Sequence, residues 1–137
     1  MGQQQLLLLI LGVVVVSMAV VVGIGMFQDH AVDHNRAAVM VDLKTLATKA
    51  QSYYNRPMTM GGGSHSFVGL TADARGLGML AGPKYTDNAN GTYTIKTDGT
   101  VTQVVLHGTG KVALSDGSYP EYDITVTAQA QTLVKVN

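Results

Sequence analysis

The sequence LLLLILGVVVVSMAVVVGIGMF, residues 6–27, holds no charged side chain and decides the architecture of this chain. As a helix with about 1.5 Å of rise per residue it reaches roughly 33 Å, enough to cross the roughly 30 Å hydrocarbon core of a bilayer. No proline occurs before Pro57, so a single helix over about residues 3–55 is predicted. A removable secretory leader is disfavoured, because no basic residue precedes the run and the run exceeds the usual length of about 7–15 residues.

Small residues recur along the apolar helix, at Gly12, Ser17, Ala19, Gly23 and Gly25. Small side chains let the backbones of neighbouring helices approach closely, which favours helix association inside a membrane or an apolar assembly. The alternative interpretation is a lone membrane anchor that needs no partner helix. The residues predicted to pack against other helices are Gln5, Leu6, Leu9, Gly12, Val16, Ser17, Val20, Gly23 and Gly25.

The helical pattern continues over residues 28–56 as an amphipathic segment. Its apolar residues recur at steps of four, three, four and three, a spacing that places them on one face of a helix. They are Val39, Leu43, Leu46, Ala50 and Tyr53, and we expect them to form the core between the helix and a folded head. Pro57 ends the helix, because proline lacks an amide donor and restricts the residue before it.

Residues 57–90 are rich in Gly, Ser, Thr and Asp and indicate a long irregular connection. A short strand over 66–70 and a helical turn over 72–80 are predicted within it. From residue 91 the apolar residues alternate with polar ones, as in strands that bury one face. Asp98-Gly99 predicts a hairpin turn, and further strands are expected over 101–107, 121–128 and 132–136.

The predicted fold is α+β, a long N-terminal helix packed by its C-terminal half on an antiparallel β-meander of four or five strands. The apolar face of the sheet must pack against another element, and the apolar stripe of the helix is the amphipathic surface in the sequence that can pack there. In this organisation residues 1–27 are the apolar helix, 28–56 its amphipathic continuation, 57–90 the connecting loop and 91–137 the β-sheet head.

Composition excludes several classes of function. The 137 residues include no cysteine, so thiolate zinc sites, haem attachment motifs and thiol nucleophiles are ruled out. Nine basic and nine acidic residues balance, and no basic run is present to form an electrostatic footprint for nucleic acid. Charged residues make up only 13%, a sparse surface charge that favours association between copies.

The layout of apolar helix, amphipathic continuation, glycine-rich loop and antiparallel sheet resembles that of type IV pilins and pseudopilins. Gln5-Leu-Leu-Leu-Leu-Ile-Leu-Gly12 looks like the start of a mature pilin, and residues 36–54 look like the amphipathic continuation that ends near paired tyrosines. The resemblance implies a filament subunit that the inner membrane holds before pilus assembly machinery builds it into an extracellular filament on the cell surface. The apolar helices would then form the filament core and the heads its outer surface. The resemblance leaves open which role such a pilus, or fimbria, would serve, because cell adhesion, twitching motility, DNA uptake and secretion share this layout.

The sequence departs from the family pattern in four respects. The family usually carries a glutamate early in the apolar run, which pairs with a neighbouring N-terminal amine, whereas Gln5 stands at the matching position and Glu121 is the single glutamate of the chain. A basic leader ending in glycine is missing, and so is a disulfide-bounded C-terminal loop. The proline that often kinks the family's apolar helix is absent too, and Gly23 and Gly25 are the expected substitutes.

Few side chains are candidates for chemistry. His30 and His34 lie one helical turn apart and could bind a metal ion if another subunit supplied a third ligand, although a solvated polar band is the favoured interpretation. Ser64 and His65 follow three glycines, but they lack the orienting third group of a catalytic triad and the Lys-Ser/Thr of a phosphate loop. Asn90-Gly91-Thr92 matches a glycosylation sequon, but a turn is the favoured interpretation.

The sequence therefore predicts a structural protein with no enzymatic activity and no cofactor. Its expected partners are further copies of itself, in a helical homo-oligomer, the inner membrane and the assembly machinery, with no specific nucleic acid. The alternatives are a pseudopilin or minor pilin of a secretion machine, and a membrane-anchored binding module whose β head recognises a ligand.

Overall fold

A computed structural model describes residues 2–82 and 85–137. The chain is an α+β protein in which a long N-terminal helix packs on a four-stranded antiparallel sheet, so the predicted fold class is confirmed. It divides after Asp33 into two compact units. Met1, Pro83 and Lys84, which fall within the predicted ranges 1–27 and 57–90, lie outside the described residues.

Helix α1 is Gly2–Asn55, close to the predicted range of 3–55. In the second unit its buried side chains follow the predicted apolar stripe. Asn35 and Ala47 join the five residues of that stripe, and the complete buried set is Asn35, Val39, Leu43, Leu46, Ala47, Ala50 and Tyr53. The period of the apolar residues thus fixes the face of α1 that meets the sheet.

The sheet is a meander in the order β1-β2-β3-β4, and every pairing in it is antiparallel. The strands are β1 (Gly91–Thr97), β2 (Gln103–Gly110), β3 (Glu121–Thr127) and β4 (Gln131–Lys135). Burial alternates along β1, β2 and β3, so each presents one face to the core and the other to solvent. The described residues contain four strands rather than five.

The hairpin predicted at Asp98-Gly99 is confirmed, because β1 and β2 pair antiparallel on either side of it, but its connection is longer than expected. Residues 98–102 connect β1 to β2, a longer connection than the two-residue turn that Asp-Gly favours. The amide of Gly99 donates to the carbonyl of Leu70 at 2.8 Å. A contact with a distant segment therefore overrides the local turn preference.

The connecting region holds a 3₁₀ helix (Met58–Met60) and helix α2 (Ala74–Ala81). Helix α2 confirms the helical turn predicted over 72–80, and the Asp73 side chain caps it by accepting from the amides of Arg75 and Gly76. The strand predicted over 66–70 is wrong. Phe67 and Leu70 are fully buried, but the amide of Leu70 donates to the carbonyl of Phe67 in a turn. Phe67 and Leu70 are therefore apolar because they pack in the core, and they do not belong to a strand.

Glycines of β1 and β2 let α1 approach the sheet closely. A Cβ at Gly108 would lie 3.1 Å from the side chain of Leu43, and one at Gly91 would lie 3.3 Å from that of Val39. Both distances are tighter than ordinary van der Waals contact, so larger residues would push the helix outward. At Gly91 and Gly108, therefore, no strand side chain separates α1 from the sheet.

Candidate functional site: the exposed apolar helix

The first unit is a helical segment with an exposed apolar surface. Every residue from 2 to 31 is exposed, including the run of leucines and valines. The most apolar 18-residue window of α1 has a mean hydropathy of 3.1, and none of that window is buried. Among the described residues, α1 is the one helix long and apolar enough to cross a membrane. A surface of this size and character needs lipid or protein to cover it.

Most of the residues predicted to pack against other helices lie on one side of this segment. Successive residues are turned by about 100° around a helix axis, so Gln5, Leu9, Gly12, Val16 and Gly23 share a side. Val20 lies at the edge of the same group. The remaining members of the predicted set lie on other sides of the helix, and they are Leu6, Ser17 and Gly25.

The glycines on this segment leave room for a neighbouring backbone. No atom of the chain would come within 4 Å of a Cβ at Gly12, Gly23 or Gly25. The hydroxyl of Ser17 donates to the carbonyl of Val13 at 2.7 Å, which satisfies its donor inside the helix. Since that donor is satisfied, Ser17 can be buried in an apolar contact at little cost in unpaired polar groups.

His30 is in the first unit and His34 begins the second, and the described part of the chain brings no third ligand to them. His30 and His34 are both exposed. Residues 2–82 and 85–137 contain no group of three His, Asp or Glu side chains placed to hold a metal ion. The favoured interpretation of a solvated polar band is consistent with this exposure.

The glycine-rich loop caps the end of α1. The amides of Gly63, Ser64 and His65 donate to the carbonyls of Tyr53, Arg56 and Tyr54 at 2.8, 2.9 and 2.7 Å, respectively. These carbonyls lie at the end of the helix, where no amide of the helix itself can reach them. The loop amides are therefore occupied, and they are not free to cradle a phosphate group.

Sequence reasoning missed a polar cluster that joins α1 to the start of β1. One carboxylate oxygen of Asp42 accepts from the Tyr93 hydroxyl at 2.6 Å and from the side-chain amides of Asn88 and Asn90 at 3.0 Å. Asn35, which is 6% exposed, donates to the Asn90 carbonyl at 2.7 Å. The partners are 46 to 55 residues apart, so no local pattern in the sequence indicates the cluster.

The cluster changes the protonation of its members. Burial alone would raise the pKa of the Asp42 carboxyl, but the hydrogen bonds from Tyr93, Asn90 and Asn88 outweigh burial and hold it below its usual value. Burial, and then the hydrogen bond to Asp42, raises the pKa of the Tyr93 hydroxyl far above its usual range. Asp42 is therefore ionised and Tyr93 neutral at physiological pH.

The cluster also bears on the sequon at Asn90. The Asn90 side-chain nitrogen, the atom that would carry a glycan, donates to Asp42 and is partly buried. The amides of Asn90 and Gly91 both donate to the Asn88 side-chain oxygen, which closes a turn at this point. The structure thus places Asn90 in a turn that leads into β1.

Comparison of the chain with protein-family models, with curated proteins and with solved structures gives no significant match in any of the three. Function must therefore be inferred from the surfaces described above.

Proposed function

We propose that the protein is the structural subunit of an extracellular filament of the type IV pilus kind, which it forms by polymerising through its N-terminal helix. The observation that carries this proposal is the exposure of every side chain from 2 to 31. The second unit has a hydrophobic core of its own, drawn entirely from residues 39–126. The apolar segment is thus left for contacts outside the chain.

Two environments suit this segment in turn. In the membrane, lipid covers the apolar surface before assembly. In the filament, the helices of other copies cover it. Because both environments are apolar, assembly gains little from the hydrophobic effect and depends on close packing between helices. The small residues on the shared side, Gly12 and Gly23, permit that packing.

Gln5 gives the proposed assembly a distinctive chemistry. An amide at this position can donate and accept hydrogen bonds without carrying a charge into the apolar core. No ion pair with an N-terminal amine is then required. We therefore expect assembly to be insensitive to salt over a range that would screen an ion pair.

A tryptophan at Gly12 tests the packing. In cells, Gly12→Trp should abolish filaments, because an indole on the shared side separates the helices, while the chain stays in the membrane fraction. Val101→Trp is the matched control, since Val101 is exposed in the connection between β1 and β2. The chain has no native tryptophan, so the emission of each introduced residue also reports its surroundings. Normal filaments from Gly12→Trp would refute the proposal.

A membrane-anchored binding module is the second candidate, and the self-contained core of the second unit favours it. A shortened chain that begins at Gln28 separates the two. If the helix is only a tether, the shortened chain should be a soluble head that still binds its ligand. If the protein is a filament subunit, the shortened chain should form no polymer. Micrographs of fibres sheared from cells, with protein identification, distinguish a main subunit from a minor pilin or a pseudopilin, which is present in few copies.

A further inference from the structure

The solvent-facing side of the sheet carries a cluster of four polar residues, which we call the histidine cluster. It consists of Lys96 on β1, His107 and Thr109 on β2, and Asp123 on β3. Leu106 and Gly108, the alternate residues of β2, are buried. Since side chains alternate along a strand, His107 and Thr109 project from the face opposite to α1.

The geometry links a hydroxyl, an imidazole and a carboxylate in series. The Thr109 Oγ1 lies 3.2 Å from the His107 Nε2, and the His107 Nδ1 lies 2.6 Å from the Asp123 Oδ1. Lys96 pairs with the other oxygen of Asp123. The side chains of His107 and Asp123 are 23% and 16% exposed, so solvent screens these contacts only in part.

The order of donors follows from the charge on Asp123. Burial alone would raise the pKa of the Asp123 carboxyl, but the hydrogen bonds from Lys96 and His107 outweigh burial and lower it. An ionised carboxylate can only accept, so Nδ1 of His107 carries the hydrogen. In the neutral ring Nε2 then has a free lone pair, and the Thr109 hydroxyl donates to it.

We propose that Thr109 is an acyl-acceptor site, with His107 as the general base that activates its hydroxyl. A hydroxyl within hydrogen-bond reach of a base, which a third group orients, is the arrangement that activates serine and threonine nucleophiles. Thr109 lies in register between Thr92 on β1 and Glu121 on β3. Side chains directly opposite in a sheet are about 5 Å apart, so the acyl group must be small.

The chemical step needs no reactant beyond an activated ester or thioester. As Thr109 Oγ1 forms a bond to the acyl carbon, its proton passes to Nε2 of His107. The bond from the acyl carbon to the leaving oxygen or sulfur then breaks, and His107 returns the proton to the leaving group. The product is an acylated Thr109 and a free alcohol or thiol. This inference does not depend on filament formation.

The test uses the full chain in detergent micelles with p-nitrophenyl acetate as the probe. Release of nitrophenol and peptide mass spectrometry together give the amount and position of the acetyl group. We expect an acetyl group on Thr109 and roughly 100-fold slower labelling of Thr109 in His107→Gln, which is the lower range for general base catalysis. Thr109→Val should lose this acetyl group. Thr125→Val is its control and should keep the label on Thr109, because Thr125 also projects from this face but its partners in register are Val105 and Thr132.

Two outcomes would overturn the inference. One is labelling of Thr125 and the other exposed threonines at the rate of Thr109. The other is unchanged labelling of Thr109 in His107→Gln. Near-ultraviolet circular dichroism from the tyrosines, all six of which lie in the second unit, checks that each variant keeps its fold.

Discussion

The cap that the glycine-rich loop forms on α1 leads to a graded prediction for three Gly→Ala substitutions. A Cβ at Gly63 would lie 2.8 Å from the Tyr53 ring and closer still to the Ser66 carbonyl oxygen, a backbone atom. Gly61 has open space around it but a φ of +75°, and Gly78 in α2 has open space and no positive φ. Alanine at Gly63 therefore tests a steric clash, alanine at Gly61 tests backbone strain, and alanine at Gly78 tests helix propensity.

The expected changes in the free energy of unfolding differ in size and sign. Overpacking costs about 1–3 kcal/mol, and Gly63→Ala should reach the upper end because a backbone atom blocks the site. Gly61→Ala should cost about 1 kcal/mol, the penalty of left-handed backbone for an L-residue. Gly78→Ala should stabilise by about 0.5–1 kcal/mol, since alanine replaces glycine within a helix.

Thermal unfolding followed by near-ultraviolet circular dichroism measures these changes in the second unit. For a unit of this size about 1 kcal/mol shifts the melting temperature by roughly 4–8 °C, so a cost of about 3 kcal/mol in Gly63→Ala should lower it by roughly 12–24 °C. If the loop were a flexible linker, Gly63→Ala and Gly61→Ala would both leave the melting temperature unchanged. That result would refute the cap.

Three further predictions concern the second unit. Folding lowers the pKa of Asp42 below its usual 3.8, so its stabilisation is present above about pH 4 and is lost as the pH falls through the folded value. Asp42→Asn should therefore flatten the acid limb of a pH series of melts, and an unchanged limb would argue against the cluster. Asn35→Ala should lower the free energy of unfolding in urea by about 1–3 kcal/mol, because the Asn90 carbonyl and the amides of Lys111 and Val112 lose their hydrogen-bond partner. Asn55→Ala, at an exposed position, should lower it little. Leu43→Ala should cost about 2–5 kcal/mol as a buried truncation, and Val41→Ala, 62% exposed, provides the matched measurement.

Periodic features of the sequence predicted the main elements well. The apolar residues of α1 recur every three or four positions, so the helical period places them on one face, and that face is buried. They are Val39, Leu43, Leu46, Ala50 and Tyr53. Alternation likewise predicted the four strands. The helical period and the strand alternation are both local patterns. They predict the structure of the second unit because the apolar face of α1 and the apolar face of the sheet form its core.

Features that depend on distant contacts were not predicted. Asp98-Gly99 correctly predicts the hairpin, but not that its connection spans residues 98–102 or that the Gly99 amide donates to the Leu70 carbonyl. The cluster around Asp42 and the pairing of His107 with Asp123 each join residues far apart in sequence. Only the register of the sheet and the docking of α1 bring them together. A single sequence without its fold therefore carries no sign of either.

The order of the strands has a consequence for how the second unit folds. Each strand pairs only with its neighbours along the chain, so the sheet closes through short loops at low entropic cost. The contact between Asp42 and Tyr93 instead closes a loop of 51 residues. We therefore expect the hairpins to nucleate first and α1 to dock later. During synthesis the apolar stripe on α1 leaves the ribosome early. It stays exposed until the ribosome has also released Ile124 and Val126, which belong to the sheet that covers it.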